Sequence, residues 1–157
     1  MNEPGDVHGA LLALLERAGV PFRSWQHEAV TTSDDAARVR GVSPDTGAKA
    51  LLVKAGAGFV LLVLPGDRQL DWKAARRALG AREIRFATAE ELAQLTGLEK
   101  GALPPFGCLF GVPTVVDPRI AEVPLVRFNA GATTASVEMP GSALLDVQDA
   151  TLAVIAK

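Results

Sequence analysis

The spacing of apolar and polar positions changes from one stretch of the chain to the next. Over residues 7–18, Leu11, Leu12, Leu14, Leu15 and Ala18 fall on one broad helical stripe, and Gly19 marks a stop. The stretch "PFRSWQHEAV" (21–30) begins with a proline and carries aromatic residues near its start, the composition of a short strand. In "TTSDDAARVRG", Thr32 or Ser33 can cap a short helix that holds Asp34 and Asp35 in its first turn and ends before Gly41. Two apolar runs, 48–55 and 58–64, are split only by Gly56-Ala57 and predict a hairpin. Within the second, "FVLLVL" is apolar at both parities, which predicts a strand covered on both faces.

A helix follows over 71–79, with Asp71 as its cap. Trp72, Ala75 and Leu79 share one side of it, and Lys73, Arg76 and Arg77 share another. "IRFATAEELAQLTG" predicts a short strand, then a helix opened by a capping box from Thr88 to Glu91 and ended at Gly97. From residue 101 glycine and proline become dense, and "PTVVD", "PLVRFNAG" and "ASVEM" read as strands before a last helix that starts between Pro140 and Leu145. Helices interspersed among strands with short links predict an α+β class. The expected form is one compact domain over 1–157, with a central mixed, largely antiparallel sheet surrounded by helices.

Composition narrows the function. At 157 residues with 48% hydrophobic content, the chain can close a proper core. No apolar run approaches the roughly 18 residues a bilayer span requires, and the first residues lack a basic leader, so no membrane association is expected. One cysteine, Cys108, is consistent with a cytoplasmic setting. A formal charge of −2 argues against indiscriminate coating of nucleic acid, but leaves room for gripping one nucleic-acid end with a few local cations.

Lys49 is the first residue with chemistry to explain. Period-2 geometry puts it on one face with Leu51 and Val53, at the rim of an apolar surface. It reads as a lysine reaching solvent from a strand end, or as a contact to an anionic ligand. The loop "GALPPFG" (101–107) is stiffened by Pro104 and Pro105 between two glycines. It is either a structural turn or a frame whose backbone groups hold a carbonyl oxygen and a water. "FNAGATTAS" (128–136) is either a polar hairpin loop or a small-residue segment leaving room for a ligand. His27 lacks an identifiable partner, Cys108 has no accompanying His–Asp arrangement, and the Lys73, Arg76, Arg77 ridge is a solvated face or a phosphate contact. Neither a P-loop, a dinucleotide glycine fingerprint nor a zinc-protease helix motif is present.

The order and spacing of these signals are more specific than any one of them. "GAKALLVKAG", then "DRQLDWKAARRALGAREIRFATAEELAQLTGLEKGALPPFG", then "GVPTVVD", resembles the YbaK-like family of free-standing aminoacyl-tRNA deacylases, whose fold also occurs as the editing insertion of bacterial prolyl-tRNA synthetase. The resemblance runs from about Pro21 to about Val147. It implies hydrolysis of the ester of a mischarged tRNA, that for proline above all. It places Lys49 at the phosphate or ribose of the terminal adenosine, and the Gly101–Pro105 loop at the aminoacyl carbonyl and attacking water. A ribose hydroxyl of the substrate would assist, and no metal or other cofactor is implied. Leu51, Pro104, Phe106, Gly107, Asn129, Gly131, Thr133, Ser136 and His27 are the expected substrate contacts, and Lys73, Arg76 and Arg77 the expected tRNA contacts. Some relatives carry a histidine in the segment matching 129–136, where this chain has Ala132, Thr133, Thr134 and Ser136. The acceptor end of an aminoacyl-tRNA is the expected partner, with a synthetase or a second copy of the chain left open. The alternative is a non-catalytic module of the same fold that binds tRNA or a synthetase.

Overall fold

In a computed structural model of the chain, residues 6–29, 38, 41 and 46–157 are described. The helix expected near 32–40 lies outside them. Apart from the short helix Pro118–Ala121 and the strand Ala150–Leu152, the remaining elements follow the patterning. They begin with α1 (Val7–Arg17), β1 (Arg23–Gln26), the hairpin β2 (Ala48–Ala55) and β3 (Gly58–Pro65), α2 (Trp72–Leu79), β4 (Ile84–Phe86) and α3 (Ala89–Thr96). After a 3-10 turn at Gly107–Leu109 come β5 (Thr114–Val116), α4 (Pro118–Ala121), β6 (Val126–Asn129), β7 (Ala135–Met139), α5 (Ala143–Val147) and β8 (Ala150–Leu152). The expected caps are in place. The Asp71 carboxylate accepts from the Ala74 N–H at 3.1 Å, and Thr88 and Glu91 form the reciprocal box that opens α3.

The strands form a five-stranded sheet in the order β4-β2-β3-β5-β8 and a three-stranded sheet in the order β1-β7-β6. The larger one is mixed: β4-β2 and β2-β3 are antiparallel, β3-β5 and β5-β8 parallel. Alternation along β3 divides the core. Leu61 and Val63 join Leu52, Phe106, Phe128 and Leu15 on one face, while Leu62 and Leu64 join Val53, Ala75 and Ile155 on the other. Leu61 to Leu64 are all fully buried, as expected of a strand covered on both sides. Among the described residues, no helix is long and apolar enough to cross a membrane.

Strand β8 and helix α4 have no counterpart in the sequence pattern, and a buried carboxylate explains how they are held. Asp117 is fully buried, yet it caps α4 through the Arg119 N–H at 3.0 Å and accepts from the Arg119 guanidinium at 3.1 Å. It also accepts the backbone N–H groups of Ile155 and Ala156, each at 3.0 Å. Ala156 in turn bridges to Leu70, and the Lys157 N–H donates to the Gln69 carbonyl at 2.9 Å. One carboxylate therefore ties residues 155–157 to the sheet and to the start of α2. Replacing Asp117 with alanine leaves two buried N–H groups without an acceptor, each costing about 1–3 kcal/mol. The Asp117→Ala variant is expected to lose about 3–5 kcal/mol of unfolding free energy in urea; an unchanged midpoint would contradict this account.

Candidate active site

The site begins with a gap in strand pairing. On its outer edge β2 is paired by β4 only over Val53–Ala55, and the Ala87 N–H takes the Leu52 carbonyl at 2.9 Å. At the other end, Gly47 bridges to Arg127 of β6. Between these two contacts, no strand among the described residues pairs the outer edge of β2 at Lys49, Ala50 and Leu51. The alternation that turns the Leu52 carbonyl toward Ala87 turns the N–H and C=O of Ala50 the same way, toward the gap. A cleft of about 500 Å³ opens there.

Lys49 and Leu51 of β2 line one side of the cleft, Gly101 and Leu103 another, and Trp72 and Phe86 a third. Lys100 and Lys157 also line it, and among the described residues no Asp or Glu does. Lys49 is half-buried, and burial pushes its ammonium below the ordinary lysine value, opposed in part by the charge of Asp67. A cation held partly out of water among apolar neighbours gains most from an anionic ligand.

The loop opposite Lys49 is braced from behind. Gly101 adopts φ +92°, a backbone region that glycine enters without strain. Its carbonyl accepts from the Asn129 side-chain amide, the Ala102 carbonyl accepts from the Gly131 N–H at 2.9 Å, and a Cβ at Gly101 would meet the Thr133 methyl at 3.5 Å. Farther along, the Gln148 amide donates to the Pro105 carbonyl at 2.8 Å. The Thr114 hydroxyl donates to Gln148 at 3.0 Å and accepts from the Gly107 N–H at 2.9 Å. The carbonyls of Gly101, Ala102, Pro104 and Pro105 are thus engaged inside the protein. The N–H groups of Gly101 and Leu103 have no partner among the described residues, which leaves them as donors for a ligand carbonyl.

These contacts sort the expected site residues. Lys49, Leu51 and Gly101 come together at the cleft. Asn129, Gly131 and Thr133 stand behind the loop and support it. Pro104 and Pro105 are buried, as is Gly107, where a Cβ would lie 2.5 Å from the Val112 carbonyl. Phe106 is fully buried edge-on to Phe128, so it serves the core and not a ligand. Ser136 is fully buried too, and its hydroxyl bonds the His27 ring at Nε2 over 2.6 Å, while His27 Nδ1 meets the Glu28 carbonyl at 2.7 Å. His27 therefore has the partner that sequence reading could not identify, and neither residue lines the cleft. Sequence reading passed over Lys100, Lys157 and Phe86, although "EKGALPP" did put a cation beside the loop.

The basic helix α2 faces elsewhere. Arg76 lines a second, wider groove with Lys54, Arg82 and Arg85, beyond the far end of β2; Lys73 and Arg77 are not part of that lining.

Against known proteins, residues 27–147 match the family model of the aminoacyl-tRNA editing domain. The chain belongs to that family. Among curated editing-family relatives, the multifunctional Ser/Thr-tRNA deacylase ProXp-y of Escherichia coli strain K12 is 36% identical over 136 residues, covering 83% of this chain and 81% of the relative. A proline–tRNA ligase of Bacillus licheniformis is 38% identical over 78 residues, which is 50% of this chain and 14% of the ligase. Among solved structures, a proposed trans-editing enzyme for prolyl tRNA synthetase superposes with a TM-score of 0.84 at 26% identity, covering 100% of this chain and 99% of that one.

In this editing domain the lowered pKa of Lys49 has a stability consequence with a definite sign. Folding disfavours the charged amine, so the cost is fully present below the folded-state pKa and fades as pH rises toward 10.5. The Lys49→Met variant is expected to melt at or above the wild-type temperature at neutral pH, with the difference shrinking toward alkaline pH in a melting series. A Lys49→Met protein that melts well below wild type would mean that the lysine is a structural member instead.

Proposed function

We propose that the protein is a trans-editing hydrolase that deacylates mischarged aminoacyl-tRNA by attack of water on the aminoacyl ester, with tRNA for proline carrying a wrong amino acid as its substrate. The observation that carries this reading is the convergence of Lys49 and the Gly101 loop on one cleft, in a chain of the editing-domain family. Lys49 contacts the phosphate or ribose of the terminal nucleotide. The N–H groups of Gly101 and Leu103 receive the aminoacyl carbonyl as negative charge develops on it. The unpaired edge at Ala50 offers a donor and an acceptor to the amino-acid moiety, and Leu51 supplies an apolar floor. Pro105, Asn129, Gly131 and Thr133 hold the loop in place.

The need for such a second site is physical. A synthetase pocket rejects an amino acid that is one methylene smaller by only about 1–3 kcal/mol, so a separate hydrolytic pocket must supply the remaining accuracy. Residues 1–157 act as one editing domain in the cytoplasm, on the acceptor end, alongside a synthetase that makes the error. Arg76, with Lys54 and Arg82 in the adjoining groove, meets the tRNA backbone, while Lys73 and Arg77 flank it on the same helix.

The test is a panel of tRNA for proline charged with alanine, serine, threonine or cysteine. Wild-type protein is expected to hydrolyse at least one member well above the spontaneous rate. Loss of a charged hydrogen-bond donor is worth roughly 1.5–3 kcal/mol, so Lys49→Ala should lower kcat/KM about 10- to 150-fold with the fold intact by circular dichroism. Cys108→Ser should retain full activity. Wild-type protein that leaves every member of the panel untouched would overturn the reading.

A further inference from the structure

Four large apolar side chains are conspicuously exposed among the described residues, and of these only Phe86, at 50%, lines the cleft. A single exposed ring is ordinary on a protein surface, and Phe86 differs by standing in the cleft beside three lysines. Phe86 meets Trp72 edge-on, with centroids 4.8 Å apart and planes at 69°. An edge contact of this kind occupies at most one face of either ring.

The backbone that carries the ring is also fixed. Phe86 pairs with Val53 at the end of β4. The neighbouring Arg85 guanidinium grips both oxygens of Glu91, at 2.7 and 3.0 Å, and donates to the Phe86 carbonyl at 3.1 Å. That ion pair, with the helix-capping bond from Thr88, draws the Glu91 carboxyl down to about 2. The backbone under the aromatic ring is therefore held in place before any ligand arrives, and Trp72 is the ring's aromatic neighbour.

What would cover it follows from the rest of the lining. Among the described residues the charged side chains lining the cleft are Lys49, Lys100 and Lys157, with Asp67 near enough to act on Lys49, so the lining favours a ligand with negative charge and a flat, apolar part beside it. A nucleotide has both. We propose that Phe86, oriented by Trp72, is the stacking platform for the terminal nucleobase of the acceptor strand, setting the ester-bearing ribose at a fixed distance from the Gly101 loop. This names a binding residue for the substrate of the deacylase reading and rests on that reading for the identity of the RNA. Stacking of one base on an aromatic ring is sequence-tolerant and corresponds to about 5- to 150-fold in affinity.

A double-mutant cycle tests it by equilibrium binding of uncharged tRNA, which requires no catalysis. Two tRNAs are compared, one ending in adenosine and one whose terminal ribose lacks its base, against wild type, Phe86→Ala and Phe86→Tyr. Wild type and Phe86→Tyr are expected to prefer the intact end by about 5- to 150-fold, and Phe86→Ala to bind both ends equally. On a mischarged tRNA that the wild type hydrolyses, Phe86→Ala should raise KM by the same factor with kcat little changed. Phe86 is half exposed, so a melting curve matching wild type is the folding control. If Phe86→Ala discriminates the two ends as well as wild type does, or if wild type binds neither tRNA, the platform is overturned. If the cycle holds while wild type hydrolyses no mischarged tRNA, the platform stands and the deacylase reading falls.

Discussion

Strand β2 is paired along the whole of its inner edge and only at the ends of its outer one, and the cleft is a consequence of that asymmetry. Eight residues pair with β3 on one side, whereas β4 takes only three on the other. The reason lies in the local sequence after β4. A capping box at Thr88 and Glu91 starts α3 almost immediately after Phe86, and the Arg85–Glu91 pair locks that turn, so β4 cannot continue alongside Ala50. From the opposite end β6 reaches β2 only at Gly47 before it turns into the segment that braces the Gly101 loop. Backbone polar groups left between two such neighbours must meet water or a ligand, because burying them unpaired is costly. The two ends thus define both the width of the opening and the direction from which its loop is supported.

Around this opening the polar chemistry of the fold is otherwise closed. Asp117 satisfies four donors from within the protein, and the Gln148–Thr114 pair consumes the carbonyl of Pro105 and the N–H of Gly107. Among the described residues, no buried side-chain nitrogen or oxygen lacks a partner. Against that background Lys49 is a group whose charged form burial disfavours, beside a stretch of β2 whose outer edge no described strand pairs. Under the deacylase reading, that setting suits a position kept for an anionic ligand. The same contrast separates Phe86 from Phe106: one aromatic ring is spent on the core and the other is left half in water.

Much of this was legible in the sequence because it depends on local rules. The hairpin, the doubly covered "FVLLVL" strand, both capped helices and the placement of Lys49 on the Leu51 face follow from period and capping alone. The relation between the glycine-proline loop and "FNAGATTAS" was not legible. Each stretch reads as an ordinary turn, and only the long-range bonds from Asn129 and Gly131 make them one unit. Strand β8 escaped for a similar reason: its three residues are half-buried or exposed, and the force that holds the following residues in place is a carboxylate more than thirty positions away, at Asp117. Phe106 and Ser136 were expected at the ligand through the family resemblance, and neighbourhood in sequence says nothing about which way a side chain points. His27 was left without a partner because Ser136 is 109 residues distant in sequence.

The composition of the cleft also constrains how water can be activated there. Its titratable lining residues are lysines only; histidine, cysteine, aspartate and glutamate are absent from the described lining. A lysine ammonium stabilises negative charge but cannot accept a proton while charged, and the anionic ligand it attracts raises its pKa and keeps it charged. Under the deacylase reading the attacking water is then oriented by hydrogen bonds to a backbone carbonyl or a substrate hydroxyl, and its proton ends on the departing ribose oxygen. The loop carbonyls of Gly101, Ala102, Pro104 and Pro105 already accept bonds within the protein, whereas the Leu103 carbonyl, the open edge of β2 and the substrate's own ribose carry no such bond among the described residues. Under the deacylase reading, catalysis in this site is therefore a matter of position more than of acid–base power. The bracing of a backbone loop, the placing of an aromatic ring and the gap in one strand are the features on which the rate would depend.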